Sequence, residues 1–324
     1  MRIGTLGAAR ITPTALIRPA RAVPEVEVAA VAARDRSRAA AFAAKHGIAH
    51  VHDSYEQLIA DPSLTAVYNP LPNALHAEWT LKAIEAGKHV LCEKPFTSNA
   101  TEARSVAEAA AKSGVVVMEA FHYRYHPLME RAREIVGSQL GEIRQVETWM
   151  CFPLPRFSDI RYSLKLGGGA LMDAGCYAVH CLRTLGPGEP SVVAAAALTR
   201  SPGVDRAMAA DLRFPNGATG RVHASMWSGQ LLKIAARVEG ERGSLHITNF
   251  VAPHVFHRMT VTVDGVRRRE RVAGDPTYTC QLRAFAAAVR QDTPPLTSPA
   301  DSVANMTIID DIYRKAGLPV RGTA

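Results

Sequence analysis

The chain begins MRIGTLGAARIT (residues 1–12), and this stretch decides the fold. The apolar residues 3–6 predict a strand, and Gly7 predicts a tight turn directly after it. Thr12 followed by Pro13 predicts the N-cap and the first position of a helix. Backbone N–H groups and the helix dipole converge where a strand, a glycine turn and a helix N-terminus meet, so we expect a pyrophosphate-binding turn here.

The alternation of strands and helices continues over the first 120 residues. Strands that alternate with helices predict βαβ units and a parallel sheet covered on both faces. Gly87 and Gly114 fall where two of the helices should end. The further predicted strands are residues 26–32, 66–68, 89–92 and 115–118, and the predicted helices are 13–22, 37–46, 75–86 and 101–113.

Beyond residue 120 several strands follow one another without helices between them, which predicts an antiparallel sheet. We therefore expect an α/β protein with a Rossmann dinucleotide-binding domain at residues 1–120 and an α+β substrate-binding domain at 121–324. The C-terminal helix could still pack back on the first domain. The predicted strands are 143–152, 192–199, 208–214, 219–227, 233–239, 244–248 and 259–263, and the predicted helices are 171–185, 279–290 and 300–316.

Composition excludes several classes of protein. With 47% hydrophobic and 21% charged residues the chain should fold, and no apolar run is long enough to suggest a membrane span. The net charge of +8 is dispersed apart from Arg267 to Arg269 and Arg271, which lie beside the turn Val263-Asp264-Gly265. This cluster indicates a solvated hairpin rather than a nucleic-acid site. The five cysteines include no CxxC pair and no signal peptide is recognisable, so we expect a reduced, cytoplasmic location.

The nucleotide turn keeps only Gly7 of the pattern G-x-G-x-x-G, with Ala9 and Thr12 at the other glycine places. The next strand ends Ala32-Ala33-Arg34-Asp35-Arg36. An acidic residue there binds the ribose of NAD, whereas arginine accommodates the 2′-phosphate of NADP. Arg34 therefore favours NADP over NAD, although a register shift of two residues would place Asp35 at the ribose and reverse this prediction. The cofactor candidates of this region are Gly7, Ala8, Ala9, Arg10, Ile11 and Arg34.

A second group of motifs surrounds Cys92-Glu93-Lys94-Pro95, at the carboxyl end of a predicted parallel strand, where ligands bind. Together with Asn69-Pro70, His76, Gly87-Lys88-His89-Val90 and the later Gly167-Gly168-Gly169-x-x-x-Asp173-x-Gly175-x-Tyr177, it resembles the Gfo/Idh/MocA oxidoreductase family over essentially the whole chain. The resemblance implies a Rossmann domain, then a domain on a large, mostly antiparallel sheet whose open face forms a homodimer or homotetramer. It also implies hydride transfer between a nicotinamide cofactor and a sugar, cyclitol or related alcohol.

The resemblance assigns roles to individual residues. Lys94 becomes the catalytic lysine, and Asp173 and Tyr177 line the substrate site on the helix after the glycines. Asp173 joins Lys94 and Tyr177 in the catalytic set, where we expect it to orient a substrate hydroxyl or Lys94. Inositol-dehydrogenase-like members have histidine where this chain has Tyr177, so the chain is most similar to the NADP-preferring branch with dihydrodiol dehydrogenase, D-xylose dehydrogenase and sugar 3-ketoreductases. Further cofactor candidates are Asn69, Pro70, Leu71, His76, Glu93 and Lys94, although His76 and Trp79 could instead pack the following helix. The substrate candidates are Tyr123, Arg124, Arg161, Tyr162 and His180.

The chemistry of these candidates is consistent with the resemblance. A phenol with a reference pKa near 10 is a poor base at neutral pH, and a nearby ammonium such as that of Lys94 lowers the pKa and makes Tyr177 a usable general acid/base. His122 and His126 stand four apart, but Pro127 follows at once, so we expect no metal. An NAD-dependent glycosidase of the same family and a non-catalytic nucleotide-sensing regulator remain the alternatives to an NADP-dependent sugar, ketosugar or diol oxidoreductase.

Overall fold

The structure is a computed structural model that describes residues 1–291 and 294–322, apart from the side chain of Gln291. The described chain forms two compact units. The first contains Met1–His122 and Tyr278–Val303, and the second contains Tyr123–Thr277 and the chain from Ala304 onward.

The first unit is built on a parallel sheet of six strands in the order β3-β2-β1-β4-β5-β6, which confirms the Rossmann prediction. The short elements β3 and α3 were not predicted, because three and six residues show too little periodicity. The strands are β1 (Arg2–Leu6), β2 (Glu27–Ala32), β3 (His50–His52), β4 (Ala66–Asn69), β5 (His89–Cys92) and β6 (Val117–Glu119). The helices are α1 (Arg18–Ala20, after a π-helical turn Pro13–Ile17), α2 (Arg36–His46), α3 (Tyr55–Ala60), α4 (His76–Glu85) and α5 (Ala100–Ser113).

The central strands of this sheet are buried on both faces, as expected where helices cover a parallel sheet. Ile3 and Leu6 of β1 and Val67 and Tyr68 of β4 have no exposed surface. Gly114 ends α5 with the left-handed φ of 70° that the sequence led us to expect at a helix C-terminus.

The second unit is built on an eight-stranded sheet in the order β14-β13-β12-β11-β7-β10-β9-β8. Its neighbouring strands are antiparallel except for β7 and β10, which are parallel, so the predicted mostly antiparallel sheet is confirmed. The strands are β7 (Ile143–Cys151), β8 (Ser191–Ser201), β9 (Val204–Arg213), β10 (Thr219–Ser225), β11 (Lys233–Gly240), β12 (Gly243–Thr248), β13 (Arg258–Val263) and β14 (Val266–Glu270).

Of the α-helices in the described residues, two belong wholly to the second unit. They are α6 (Pro127–Ser138), which was not predicted, and α7 (Cys176–Leu185), which continues a π-helical turn at Leu171–Gly175. α7 covers one face of the sheet, where the Thr148 hydroxyl donates to the Ala178 carbonyl at 2.9 Å. Trp149 therefore points to the opposite face. There its ring stacks on His223, with the Lys233 ammonium 3.4 Å from the ring centre.

The chain ends with α8 (Thr277–Gln291) and α9 (Pro299–Lys315), close to the two predicted helices. The arginine cluster lies on the β13–β14 hairpin, where Asp264 and Gly265 have positive φ, as predicted for a tight turn. All five cysteines are free thiols, and four of them are buried. Among the described residues, no helix is both long and apolar enough to cross a membrane.

Candidate active site

The nucleotide turn presents unused backbone donors. Gly7 has a φ of +89°, and its N–H donates to the Ala32 carbonyl, which fixes the turn against β2. Within the described part of the chain, the N–H groups of Ala8, Ala9, Arg10 and Ile11 make no hydrogen bond. Four free donors beside a helix start suit a phosphate, so the turn fits a dinucleotide. Thr12 stands at the predicted N-cap, but its buried hydroxyl does not cap the helix.

The two candidates for contact with the ribose, Arg34 and Asp35, have different surroundings at the end of β2. The Asp35 carboxylate caps α2: it accepts from the Ser37 N–H at 2.8 Å and from the Ser37 hydroxyl at 2.6 Å. These hydrogen bonds hold the pKa of Asp35 below its usual range. The Arg36 guanidinium pairs with Asp53. Arg34 is exposed and, among the described residues, its guanidinium forms no ion pair, so it can meet an anionic ligand.

Lys94 lies in the turn after β5, and its peptide bond to Pro95 is cis. The turn is tied to the neighbouring strand, because the Glu93 N–H donates to the Asn69 carbonyl at 3.0 Å. The Glu93 carboxylate is buried and accepts from the Tyr68 hydroxyl at 2.7 Å. Glu93 therefore contributes to holding the strand ends together, whatever its contact with a cofactor.

His76 connects the two loops that carry the other candidates. Its Nε2 lies 2.7 Å from the Leu71 carbonyl and its Nδ1 lies 2.8 Å from the Pro95 carbonyl. The ring is completely buried, and this burial lowers the pKa of His76 to about 4. The neutral ring has a single N–H and donates to one carbonyl at a time. The Asn69 amide donates to the His76 carbonyl at 3.2 Å, so these side chains fix the backbone around Pro70, Leu71 and Lys94.

In the second unit the structure brings two predicted site residues together. Asp173 lies in the π-helical turn before α7, and its Oδ2 is 3.1 Å from Nε of Arg161. Arg161 also pairs with Asp159, and the negative charge of Asp173 raises the pKa of Arg161. The Arg161 side chain is 45% exposed, so this pair can meet a ligand from solvent.

A second pair lies beside Tyr177. The Tyr123 hydroxyl and Nδ1 of His180 are 2.6 Å apart, and both residues are buried. The ring centres of Tyr123 and Tyr177 are 5.9 Å apart, and Tyr177 is 4% exposed. The structure therefore groups Tyr177, Tyr123 and His180 in one buried aromatic cluster.

The remaining substrate candidates differ in their surroundings. Arg124 is half-buried near Cys181, where its positive charge partly opposes the burial that raises the pKa of the thiol. The Tyr162 hydroxyl donates to the Leu154 carbonyl at 2.9 Å, and its ring packs in a small apolar cluster with Val204 and Met226. Tyr162 is thus already engaged inside the unit.

The structure groups no three His, Cys, Asp or Glu side chains into a metal-binding cluster within residues 1–291 and 294–322. The His122 ring lies against Tyr278 with 4.0 Å between ring centres, and Nδ1 of His126 accepts from the Leu128 N–H. Sequence reasoning missed Asp205 and Arg321, which form a buried ion pair behind the glycine cluster. Nothing local marks them, because they lie 116 positions apart.

Comparison with known proteins gives concordant results. Residues 1–121 match the oxidoreductase family with an NAD-binding Rossmann fold, and residues 129–246 match the GFO/IDH/MocA C-terminal domain. The chain is 40% identical to D-xylose 1-dehydrogenase (NADP(+)) 2 of Haloferax volcanii over 98% of this chain and 97% of that protein. It is 36% identical to trans-1,2-dihydrobenzene-1,2-diol dehydrogenase of Mus musculus over 71% of this chain and 68% of that protein.

Among solved structures, a 3-ketoreductase from Actinomadura kijaniata in complex with NADP and TDP-benzene superposes with a TM-score of 0.89. Its sequence is 28% identical, and the match covers 97% of both chains. Both halves of the chain, the motifs around Lys94 and Tyr177 and the whole-length relatives agree. The chain therefore belongs to the Gfo/Idh/MocA family of oxidoreductases.

Proposed function

We propose that the chain is an NADP-dependent oxidoreductase that interconverts an alcohol and a carbonyl group on a sugar, ketosugar or vicinal diol. The observation that carries the proposal is that both reacting groups are kept, Lys94 in the turn after β5 and Tyr177 on α7. A nucleotide-sensing protein would need neither. The relatives named for activity on xylose, dihydrobenzenediol and dTDP-sugar substrates support the substrate class.

The cofactor proposal rests on the first unit. The free N–H groups from Ala8 to Ile11 would hold the pyrophosphate, and Pro70 and Leu71 would border the nicotinamide and its ribose. Arg34 would hold the 2′-phosphate, because it is exposed at the end of β2, whereas Oδ1 of Asp35 caps α2. NADP and NADPH, when bound, accept and supply the hydride respectively.

Tyr177 is proposed as the general acid/base. During alcohol oxidation its phenolate takes the hydroxyl proton, and during reduction its phenol returns a proton to the carbonyl oxygen. The Lys94 ammonium favours the phenolate and stabilises negative charge on the substrate oxygen. Asp173 can accept a hydrogen bond from a substrate hydroxyl, and its partner Arg161 can donate one. Tyr123, Arg124, Tyr162 and His180 remain candidates for substrate contact or for support of these groups.

We also propose that the enzyme works in the cytoplasm as a homodimer or homotetramer. The free cysteines support a reducing compartment. Support for the oligomer comes from the sheet face opposite α7, which carries Trp149 and His223. On the same face of β8, Ala194, Ala196 and Leu198 are exposed. Exposed apolar side chains on a sheet are typical of protein–protein contacts.

Cofactor binding and turnover together test the proposed function. Protein fluorescence should report tighter binding of NADPH than of NADH, and a panel of aldoses, ketosugars and diols should include a substrate. Lys94→Ala and Tyr177→Phe should bind NADPH as the wild type does but turn over at least about a hundredfold more slowly. Lys112→Ala, at the exposed end of α5, is the control and should keep full activity.

Each contrary result favours a different alternative. Tighter binding of NADH would contradict the role of Arg34. Glycoside hydrolysis without net turnover of nicotinamide would favour the NAD-dependent glycosidase. Cofactor binding without turnover on any substrate of the panel would favour the nucleotide-sensing regulator, and full activity of Tyr177→Phe would exclude Tyr177 as the acid/base.

A further inference from the structure

A completely buried ion pair lies behind the glycine cluster of the second unit. Nη2 of Arg321 is 2.8 Å from Oδ1 of Asp205, and neither side chain has any exposed surface. Asp205 is the second residue of β9, whereas Arg321 comes after the last helix. The Tyr313 hydroxyl donates to the same Oδ1 at 3.0 Å, and the guanidinium lies 4.0 Å from the centre of the Tyr313 ring.

Two further groups of this pair bind the backbone on both sides of Gly169, and Nη1 of Arg321 donates to the Pro319 carbonyl at 2.8 Å. Nε of Arg321 donates to the Gly168 carbonyl at 2.7 Å, and Oδ2 of Asp205 accepts from the Leu171 N–H at 2.7 Å. Gly169 itself has a φ of +133°, and a Cβ there would lie 2.2 Å from Oδ1 of Asp205. The ion pair thus explains why the sequence has glycine at this place: no larger residue fits between the two bonded groups.

This backbone begins the helix that carries Asp173 and Tyr177. The Asp173 N–H donates to the Gly169 carbonyl at 3.0 Å, and Leu171 is the first residue of the π-helical turn. Tyr177 follows Leu171 by six residues, less than two helical turns. No loop separates Leu171 from Tyr177, so a displacement of the backbone at Gly168 or Leu171 also displaces Tyr177.

Stability alone is a poor reason to keep such a pair, because buried ion pairs can often be replaced by apolar side chains at little cost. Charged groups with several directed bonds do, however, fix a backbone in one geometry. We propose that Arg321 is a positioning residue, which acts through Asp205 and the Gly168–Leu171 backbone to hold Asp173 and Tyr177 in their reactive places. The inference rests on the proposed function for the roles of Asp173 and Tyr177.

The first experiment compares Arg321→Met, Arg321→Lys and the control Arg314→Met in the full chain. Arg314 is a 59% exposed arginine of α9 that pairs with Asp310 and Asp311. Arg321→Met should lower kcat about a hundredfold, the effect expected when reacting groups are misplaced by about 1 Å. Its NADPH dissociation constant should stay within about twofold of the wild type, because the cofactor contacts lie in the first unit. Arg321→Lys should recover part of the loss, and Arg314→Met should resemble the wild type.

Two further readouts separate positioning from general stability. In Arg321→Ala, guanidinium ion below denaturing concentration should restore part of kcat, whereas methylammonium at equal ionic strength should not. Hydrogen–deuterium exchange should speed up at the amides of Leu171 and Asp173 in Arg321→Met and remain unchanged at β11 and β12. A kcat loss that only follows the unfolded fraction, or unchanged exchange at Leu171 and Asp173, would overturn the inference.

The exchange measurement also distinguishes this inference from the proposed function. If the wild type shows no NADP-dependent turnover but exchange still rises around Leu171 in Arg321→Met, the catalytic assignment fails and the anchoring of the helix start stands. If turnover is normal in the wild type and also in Arg321→Met, the positioning role fails and the proposed function stands.

Discussion

Arg34 and Arg36 stand two residues apart but have different surroundings. Arg36 pairs with Asp53, whereas the Arg34 guanidinium has no ion pair among the described residues. Arg34→Ala should therefore weaken NADPH binding about tenfold or more and leave NADH binding unchanged, since a charge-assisted contact to phosphate is worth about 1.5–3 kcal/mol. Fluorescence titration with each nucleotide measures both affinities.

The matched control is Arg36→Ala. Because Arg36 is already paired with Asp53, its removal should reduce NADPH affinity less than the removal of Arg34. An equal loss for NADPH and NADH in Arg34→Ala would mean that Arg34 supports the loop and does not contact the 2′-phosphate.

His76 gives the first unit a pH-dependent stability. Burial lowers its pKa to about 4 in the folded chain, below the ordinary value of 6.5. The unfolded chain therefore binds more protons below pH 6.5, and stability decreases as the pH falls toward 4. Complete protonation would cost up to about 3 kcal/mol relative to neutral pH. Between about pH 7.5 and about pH 5, the wild type should lose more thermal stability than His76→Gln, which lacks the ionisable ring.

The comparison needs a histidine that is not enclosed. His50 is exposed on β3, so His50→Gln should show the same loss of thermal stability on acidification as the wild type. A His76→Gln protein whose unfolding midpoint falls with pH as steeply as the wild type would contradict the assignment of this pH dependence to His76.

At the scale of elements, the turn before α7 should tolerate substitution of its glycine far less than other glycine turns do. Gly169 and Gly217 both have positive φ, but a Cβ at Gly217 would meet nothing within 4 Å, whereas at Gly169 it would clash with Asp205. Gly217→Ala should cost about 1–2 kcal/mol from its backbone conformation alone. Gly169→Ala should lower the free energy of unfolding by more than about 3 kcal/mol, and it should also lower the thermal unfolding midpoint and the soluble yield. Similar midpoints for the two variants would show that the ion pair relaxes easily.

The elements that sequence predicts well are those with local signals. The alternating pattern predicts β1, β2, β4 and β5 with their helices, because each strand and helix has its own periodicity. The hairpin at Asp264-Gly265 was likewise visible in its turn residues. α6 was not predicted, although it begins at Pro127, a typical first helical residue.

The residues of the candidate site also fall into those with a local sequence signal and those without one. Lys94, Asp173 and Tyr177 are recognisable from motifs, and the pairing of Asp173 with Arg161 joins two predicted residues. The capping role of Asp35 also has a local signal, since aspartate is a preferred residue at the position just before a helix. The ion pair of Asp205 with Arg321 was not, because a contact between residues 116 positions apart leaves no local pattern.

For the molecule as a whole, the sequence separates a parallel from an antiparallel half but does not say where the last helices go. Periodicity predicts α8 and α9, but an amphipathic pattern does not show which surface of the protein a helix packs against. In the structure most of α8 belongs to the first unit, and α9 passes into the second at Ala304. Such assignments depend on the packing of the complete chain, which a pattern in one segment cannot contain.

The open sheet face of the second unit bears on how copies of the chain assemble. Strand pairing places Leu198 of β8 on the same face as His223 and Trp149, opposite α7, and Leu198 is 52% exposed. If this face joins two copies, a carboxylate at Leu198 would have to be buried in the contact, which is costly without a partner. Light scattering coupled to size exclusion should give the mass of two or four chains for the wild type and a lower mass for Leu198→Glu at the same concentration.

The control for this experiment is Val266→Glu, at the opposite edge of the same sheet. Val266 is 70% exposed on β14, so its substitution adds the same charge to the sheet without touching the face around Leu198. Val266→Glu should keep the mass of the wild type. A wild-type protein with the mass of a single chain at micromolar concentration would exclude the dimer and the tetramer, and equal dissociation by both variants would place the contact elsewhere on the sheet.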